Sequence, residues 1–395
     1  MTVKQENFKG YHKPINIGVS LFFGGAFTSF WGNGAGQNMY FLVKALQAVP
    51  GVKDVYFVYW ELDADTIPDM VKTELDAMGI GLYLLKDVGA KTDVIIEGTL
   101  GMTATHADMV HSHGHKVVSY RMGNDYIMEN EMFAYGFGNP RGVSDAEYDA
   151  LWVLPHHMGT NKWFYETMYG LEAQVVPYVW DSFFVERQAA LVADDPANKG
   201  FGYNPELRKG KVGRSVSVFE PNMSLLKTCY TPILIAENVY RQRSELLEHM
   251  YVCNTYEKRD LPNFVSFTSH LEMAKHGVLS AESRYITPHF LGFYTDVVLS
   301  YNWQNGLNNI YYEVLHANYP FVHNSEFLRD AHVGFYYDGF DAYEGRDALI
   351  DAITTYDNHF ESHVENNQAF VASANPLHPD VIAAHEELLY QLLVE

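Results

Sequence analysis

Two places in this sequence set charged side chains directly after an apolar run, where a strand end would present them to a ligand. Arg121-Met122-Gly123-Asn124-Asp125-Tyr126 follows the run Lys116 to Tyr120. Glu220-Pro221-Asn222 closes the run Ser215 to Phe219, and Lys227-Thr228 falls in the early turns of the next helix. In open α/β sheets small molecules bind at the carboxyl ends of strands. Asp125 at such an edge suits general-base work on a hydroxyl, and Arg121 suits holding that hydroxyl or a phosphate. The plainer reading is an Arg–Asp pair that only orders the loop.

A third stretch, Asn302 to Ser325, reads NWQNGLNNIYYEVLHANYPFVHNS. Its pattern predicts a helix from near Gly306, an Ala-Asn-Tyr-Pro turn, and the short strand Phe321 to His323. On such a helix Asn305 and Glu313, eight apart, would lie about 80° from one another and line one pocket. Asn302, Asn305 and Asn324 are candidate contacts for sugar hydroxyls. Upstream, Gly24 to Gly36 is a glycine-rich loop with Trp31 and Asn33, entering a helix near Gln37. Glycines such as Gly34 and Gly36 let backbone approach a ligand, and the helix start offers N–H donors. The loop lacks the lysine of a phosphate-binding loop and the spacing of a dinucleotide fingerprint, so NAD is disfavoured.

Other chemistry-bearing residues read more weakly. His111-Ser-His113-Gly-His115 has no matching carboxylate or cysteine, and its imidazoles suit a helix C-terminus; no metal site is expected. Asp63-Ala-Asp65 matches a two-residue metal signature in a chain with 49 acids and reads as chance. His156 or His157, past another strand edge, is a possible base. Asn254-Thr255 follows the run Tyr251 to Cys253, a place for contacts to a nucleotide base.

The elements that would position these residues alternate. Strand-like runs at Ile15 to Phe22, Val55 to Tyr59, Val94 to Glu97, Lys116 to Tyr120, Ala150 to Leu154 and Gln174 to Val176 are separated by helix-like segments. Continuous apolar strands between helices predict a parallel sheet covered on both faces. The polar stretch Asp194 to Arg214 interrupts the series. A second one follows, with runs at Ser215 to Phe219, Met250 to Cys253, Phe264 to Phe267, Asp296 to Ser300 and Phe321 to His323, and a terminal helix from Pro379 to Val394. The expected domains are 1–195, 196–375 and a crossing-back helix at 376–395.

Composition bounds the rest. The chain has 395 residues, 47% hydrophobic and 15% aromatic, enough for two or three cores. With 27 Lys and Arg against 49 Asp and Glu, its net charge of −22 repels polyanions except at a local patch, of which Arg208-Lys209-Gly-Lys211-Val-Gly-Arg214 is the one dense candidate. Cys229 and Cys253 sit in apolar surroundings and read as reduced structural thiols. The polar N-terminus and the glycines that break the uncharged run Pro14 to Val43 predict a cytoplasmic protein without stable membrane insertion.

Glu-x7-Glu followed by a small-Gly-x-Pro turn marks nucleotide-sugar glycosyltransferases of the two-domain GT-B type, and Asn305, Glu313 and Asn318-Tyr319-Pro320 resemble a divergent copy. More specifically, Trp31-Gly-Asn-Gly-x-x-Gln-Asn38, Arg121 to Tyr126, Phe219-Glu-Pro-Asn222 with Lys227-Thr228, and Asn302-Trp-x-Asn-Gly306 with Tyr311-Tyr-Glu313 resemble the DUF2827 family of bacteria and phages, across roughly residues 14 to 390. The resemblance implies two Rossmann-like domains facing a cleft, and transfer of a sugar from a nucleotide diphosphate sugar, expected to be a UDP-sugar, without a metal or further cofactor. Asn222, Lys227 and Thr228 would then meet the diphosphate, Asn254 the base, Glu313 the ribose, and Gly34, Gly36, Asn305 and Gly306 the remainder of the donor. Asp125 with Arg121 would serve the acceptor, a saccharide or surface polymer, or a hydroxymethylated DNA base. Asn305 in place of the first Glu keeps open a non-catalytic sugar- or nucleotide-binding protein; an epimerase of the same fold is a further alternative. Oligomeric state is not readable from the sequence.

Overall fold

The computed structural model describes residues 13–23, 29–32, 34–60, 67–136 and 143–394. The chain divides into two compact units, one made of Met1–Asp181 and Ser373–Glu395, the other of Ser182–Ala372. Each is a parallel sheet flanked by helices, so the two-Rossmann α/β reading is borne out.

In the first unit the strands are β1 (Ile15–Ser20), β2 (Val52–Tyr59), β3 (Leu82–Leu84), β4 (Val94–Glu97), β5 (Lys116–Arg121), β6 (Ala150–Val153) and β7 (Ala173–Val175). They lie in the order β3-β2-β1-β4-β5-β6-β7, and every pairing is parallel. Apolar runs with no alternation become strands buried on both faces, as in β4 and β6, where every residue is buried. Packing is tight enough that a Cβ on Gly18 of β1 would stand 2.8 Å from Ile95 Cδ1 and 3.0 Å from Val58 Cγ1. The terminal helix Pro379–Leu393 belongs to this unit and packs on the helix Gly34–Ala48.

The second unit holds β8 (Arg214–Val218), β9 (Leu247–Val252), β10 (Leu279–Ala281), β11 (Val297–Leu299), β12 (Phe321–His323) and β13 (Phe335–Tyr336), again all parallel, in the order β10-β9-β8-β11-β12-β13. Its core joins Val216, Ile233, Met250, Leu299, Val322 and Tyr337. In both sheets the strand order reverses beside the first strand, between β1 and β4 and between β8 and β11. Such switch points are where open α/β sheets bind ligands.

Three expectations differ from the structure. The stretch before Arg214 belongs with the second unit from Ser182 onward, because the helix Phe183–Ala190 packs on the helix Thr287–Tyr294 and Lys199 N–H bonds Gly292 carbonyl at 2.9 Å. Phe264 to Phe267 is not a strand but part of the helix Pro262–Thr268. Proline at its first turn favours the helix, and Phe264 and Phe267, three apart, both meet the Tyr230 ring, at centroid distances of 6.3 and 4.4 Å. The helix expected to begin near Gly306 begins instead at Asn309.

Candidate active site

At the β8/β11 switch point the sequence places a carboxylate where the strands end. Glu220 is 3% exposed. Its Oε1 accepts from Ser300 Oγ at 2.5 Å and from the Tyr301 N–H at 3.1 Å, so one acid pins the loop after β8 to the loop after β11. Burial pushes its carboxyl up, against the Ser300 hydrogen bond, the positive field of Lys227 and the Tyr301 N–H. Lys227 is half-buried, and its ammonium forms no ion pair or hydrogen bond with the described residues. Burial depresses its pKa while Glu220 raises it. A cation desolvated beside a buried acid, with donor capacity unspent, is built to meet an anion.

The asparagines around it do different work from that expected. Asn222, at φ 53°, accepts from Cys229 N–H at 2.8 Å through Oδ1 and donates to the Glu220 carbonyl at 2.8 Å. Asn254, at φ 61°, donates to the Phe219 and Glu220 carbonyls at 3.1 and 3.2 Å. Both side chains thus help shape the loop that holds Glu220. Thr228 is half-buried directly before Cys229, the residue capping the helix Tyr230–Arg243.

Asn302 and Asn324 clasp one another across the β11 and β12 ends: Asn302 Nδ2 and N–H reach Asn324 Oδ1 at 2.9 and 2.8 Å, and Asn324 Nδ2 reaches the Asn302 carbonyl at 2.7 Å. Asn302 Oδ1 also accepts the Asn305 N–H at 3.2 Å. Asn302 and Asn324 are therefore committed within the protein rather than to sugar hydroxyls. Because the helix spans Asn309–His316, Asn305 and Gly306 lie in the preceding loop, and the shared-face argument for Asn305 and Glu313 fails. Gly306 is needed for packing: a Cβ there would lie 2.9 Å from Phe327 and 3.2 Å from Ser325 Oγ. Glu313 is half-buried in that helix, takes a hydrogen bond from Thr287, and burial holds its carboxyl up at about 7.

The β1/β4 switch point of the first unit opens into a cavity of about 420 Å³ lined by Gly36, Glu97, Thr99, Arg121, Gly123 and Asp125, among others. Glu97 closes β4 opposite Ser119 of β5, which brings Arg121 alongside. Arg121 Nη2 lies 3.2 Å from Glu97 Oε1, and Arg121 Nε donates to Ser119 Oγ at 2.6 Å. Tyr148 donates to Glu97 Oε2 at 2.5 Å, as does the Met102 N–H at 2.8 Å. The guanidinium lies 4.8 Å from the Tyr165 ring centroid. Burial works against its charge, but Glu97 and the tyrosines outweigh that and hold its pKa above the usual range. Arg121 therefore pairs with Glu97, not with Asp125. Asp125 begins the helix Asp125–Tyr135 and accepts a short hydrogen bond from Tyr165 Oη on Oδ2; its Oδ1 has no partner among the described residues. Sequence reasoning missed Glu97, Tyr148 and Tyr165; a Glu terminating the apolar run Val94–Ile96 was the one available signal.

The remaining candidates fall elsewhere. His111 pairs with Asp149 at 2.9 Å and His115 reaches the Ala90 carbonyl at 3.2 Å, both near the amino edge of the sheet. His156 and His157 are buried, their rings tilted against one another at a centroid distance of 3.9 Å. Among the described residues no three His, Cys, Asp or Glu gather as metal ligands. The basic run leads into the amino end of β8, opposite the ligand edge; its two arginines turn inward, Arg208 pairing with Asp296 at 2.8 Å and Arg214 with Asp357 at 3.0 Å, while Lys209 and Lys211 stay exposed. Gly24, Gly25, Asn33, Asp63 and Asp65 lie outside the described residues. No helix among the described residues is long and apolar enough to cross a membrane.

A family model described as "Protein of unknown function (DUF2827)" matches residues 17–389. No curated protein sequence matches the chain. Among solved structures, HepE of Anabaena in complex with UDP and glucose is similar over 96% of this chain and 100% of its own, at 14% identity and TM-score 0.55. A glycosyltransferase from Rickettsia africae covers 97% and 100%, at 10% identity and TM-score 0.58. An E. coli trehalose-6-phosphate protein bound with UDP-2-fluoro glucose covers 95% and 98%, at 12% identity and TM-score 0.54. The fold is thus that of GT-B proteins with two Rossmann-like domains.

Proposed function

The chain belongs to the DUF2827 family, and we propose that it is a glycosyltransferase using a nucleoside diphosphate sugar, with UDP the favoured nucleotide. The observation that carries this reading is Lys227: a half-buried ammonium at the switch point of the second sheet, with no hydrogen-bond or ion-pair partner among the described residues. Its charge suits the β-phosphate of a departing nucleoside diphosphate, and the loop it rises from is braced by Glu220, Asn222 and Asn254. Glu313 suits the ribose, since one carboxylate can accept from two adjacent hydroxyls. Similar folds solved with UDP or a UDP-sugar support the choice of donor.

In the proposed reaction the second unit holds the donor and the first receives the acceptor. The bond from the anomeric carbon to the diphosphate oxygen breaks, and its electron pair leaves with the diphosphate beside Lys227. A new bond forms from that carbon to the acceptor oxygen, whose proton passes to Asp125 Oδ1 and on to solvent. The DNA-base alternative draws no support from the basic run, which leads into the amino end of β8, opposite the ligand edge, with Arg208 and Arg214 paired to Asp296 and Asp357. The test is a thermal-shift screen against UDP, GDP, ADP, CMP and TDP and their sugars, with and without EDTA. Saturation at a hundredfold excess over Kd stabilises by ~2.7 kcal/mol. The expected result is a rise selective for UDP compounds, unchanged by EDTA and lost in Lys227→Ala. A rise of equal size in Lys227→Ala would overturn the assignment.

A further inference from the structure

We infer that the cavity of the first unit takes an uncharged polyhydroxyl acceptor, a neutral mono- or disaccharide, and discriminates against phosphorylated ones; the inference rests on the glycosyl-transfer reading above. The only charged groups among its described lining residues are Glu97, Arg121 and Asp125. Arg121, the sole cation, is already neutralised by Glu97 at 3.2 Å and held at Nε by Ser119. Glu97 is in turn saturated by Arg121, Tyr148 and the Met102 N–H. Asp125 therefore leaves the lining with a net negative charge.

The hydrogen-bonding capacity that remains suits hydroxyls. Asp125 Oδ1 can accept, and Arg121 Nη1, for which no partner exists among the described residues, can donate. A sugar hydroxyl does both at once, whereas a phosphate dianion offers acceptors only and meets Asp125 as a like charge. Gly123 keeps the approach open: a Cβ there would stand 3.2 Å from Asp125 Oδ1. Tyr165 acts as a positioning residue, its hydroxyl holding Oδ2 while its ring lies against Arg121. The volume of about 420 Å³ is at the small end of ligand cavities and fits one or two sugar rings. An uncompensated like charge at such range costs enough for discrimination of at least about tenfold.

The experiment is hydrogen–deuterium exchange on the full chain saturated with UDP, with glucose, maltose or glucose 6-phosphate added at equal concentration. Glucose or maltose is expected to slow exchange across residues 97–125, and glucose 6-phosphate to need at least about tenfold more for the same protection. Asp125→Asn, which keeps an acceptor for Tyr165 but removes the charge, is expected to bring the phosphorylated sugar to within about threefold of maltose. Protection by glucose 6-phosphate equal to that by maltose in the parent chain, protection by none of the three, or an unchanged preference in Asp125→Asn would each overturn the inference. UDP-dependent protection of residues 219–230, read in the same spectra, reports on the donor site; its loss alone would count against the glycosyl-transfer reading and not against the cavity's charge preference.

Discussion

Replacing Glu313 by glutamine keeps the shape of the side chain and removes its charge, which isolates the energetic penalty of burying a candidate ribose ligand. Burial raises its carboxyl from 4.5 to about 7, opposed by the Thr287 hydrogen bond. An acid whose pKa rises on folding binds its proton more tightly in the native state. Between the two values the unfolded chain therefore carries fewer protons, and stability falls as pH rises. The loss begins near pH 4.5 and is complete above pH 7, where it reaches ~3 kcal/mol. Glutamine does not titrate, so the stability of Glu313→Gln relative to the parent should grow by about 2–3 kcal/mol between pH 5 and pH 8.5. Urea unfolding followed by circular dichroism at both pH values measures it. A difference independent of pH, or a glutamine chain that loses ground as pH rises, would refute the claim that Glu313 is held against its preference for water. The stabler variant should also show a smaller UDP-induced rise in Tm, since the strained carboxylate is the one proposed to bind.

Removing Arg121 as Arg121→Met leaves Glu97 buried without its counter-ion and should destabilise the chain by about 3–5 kcal/mol in denaturant unfolding, while the UDP-induced shift should persist because the proposed donor site lies in the other unit. Tyr165→Phe frees Asp125 Oδ2; turnover with a neutral sugar acceptor should fall at least about tenfold with little change in the KM for the donor, and its pH–rate profile should move. Gly345→Ala drives a Cβ into Ile235 Cδ1 where the helices Ala342–Thr355 and Tyr230–Arg243 pack. It should cost about 1–3 kcal/mol by calorimetry.

The two-sheet organisation was legible because strands such as Val94–Glu97, Ala150–Val153 and Val297–Leu299 are largely apolar runs, buried throughout, between helical segments. The edge strands Leu82–Leu84, Leu279–Ala281 and Phe335–Tyr336 were not: two or three residues carry no period, and their pairing is set by the neighbouring strand. Arg121 and Lys227 stood out by type and by position after a strand. Arg121's partner did not, since Glu97 reaches it only through the parallel register of β4 and β5. Nor could sequence show that Asn302 spends its amide on Asn324, for that pair closes only when the ends of β11 and β12 come side by side. Asparagines at a ligand edge look alike in sequence whether they hold a sugar or a loop.

The first unit is discontinuous: its last helix is encoded after the whole of Ser182–Ala372. During synthesis the apolar face of the helix Gly34–Ala48 that Pro379–Leu393 covers stays open until the intervening unit has been made. At ~5–20 residues per second that interval is on the order of ten to forty seconds. The second unit, contiguous in sequence, can complete its sheet within it. The contact that completes the first unit thus forms only after every residue of the second has been made.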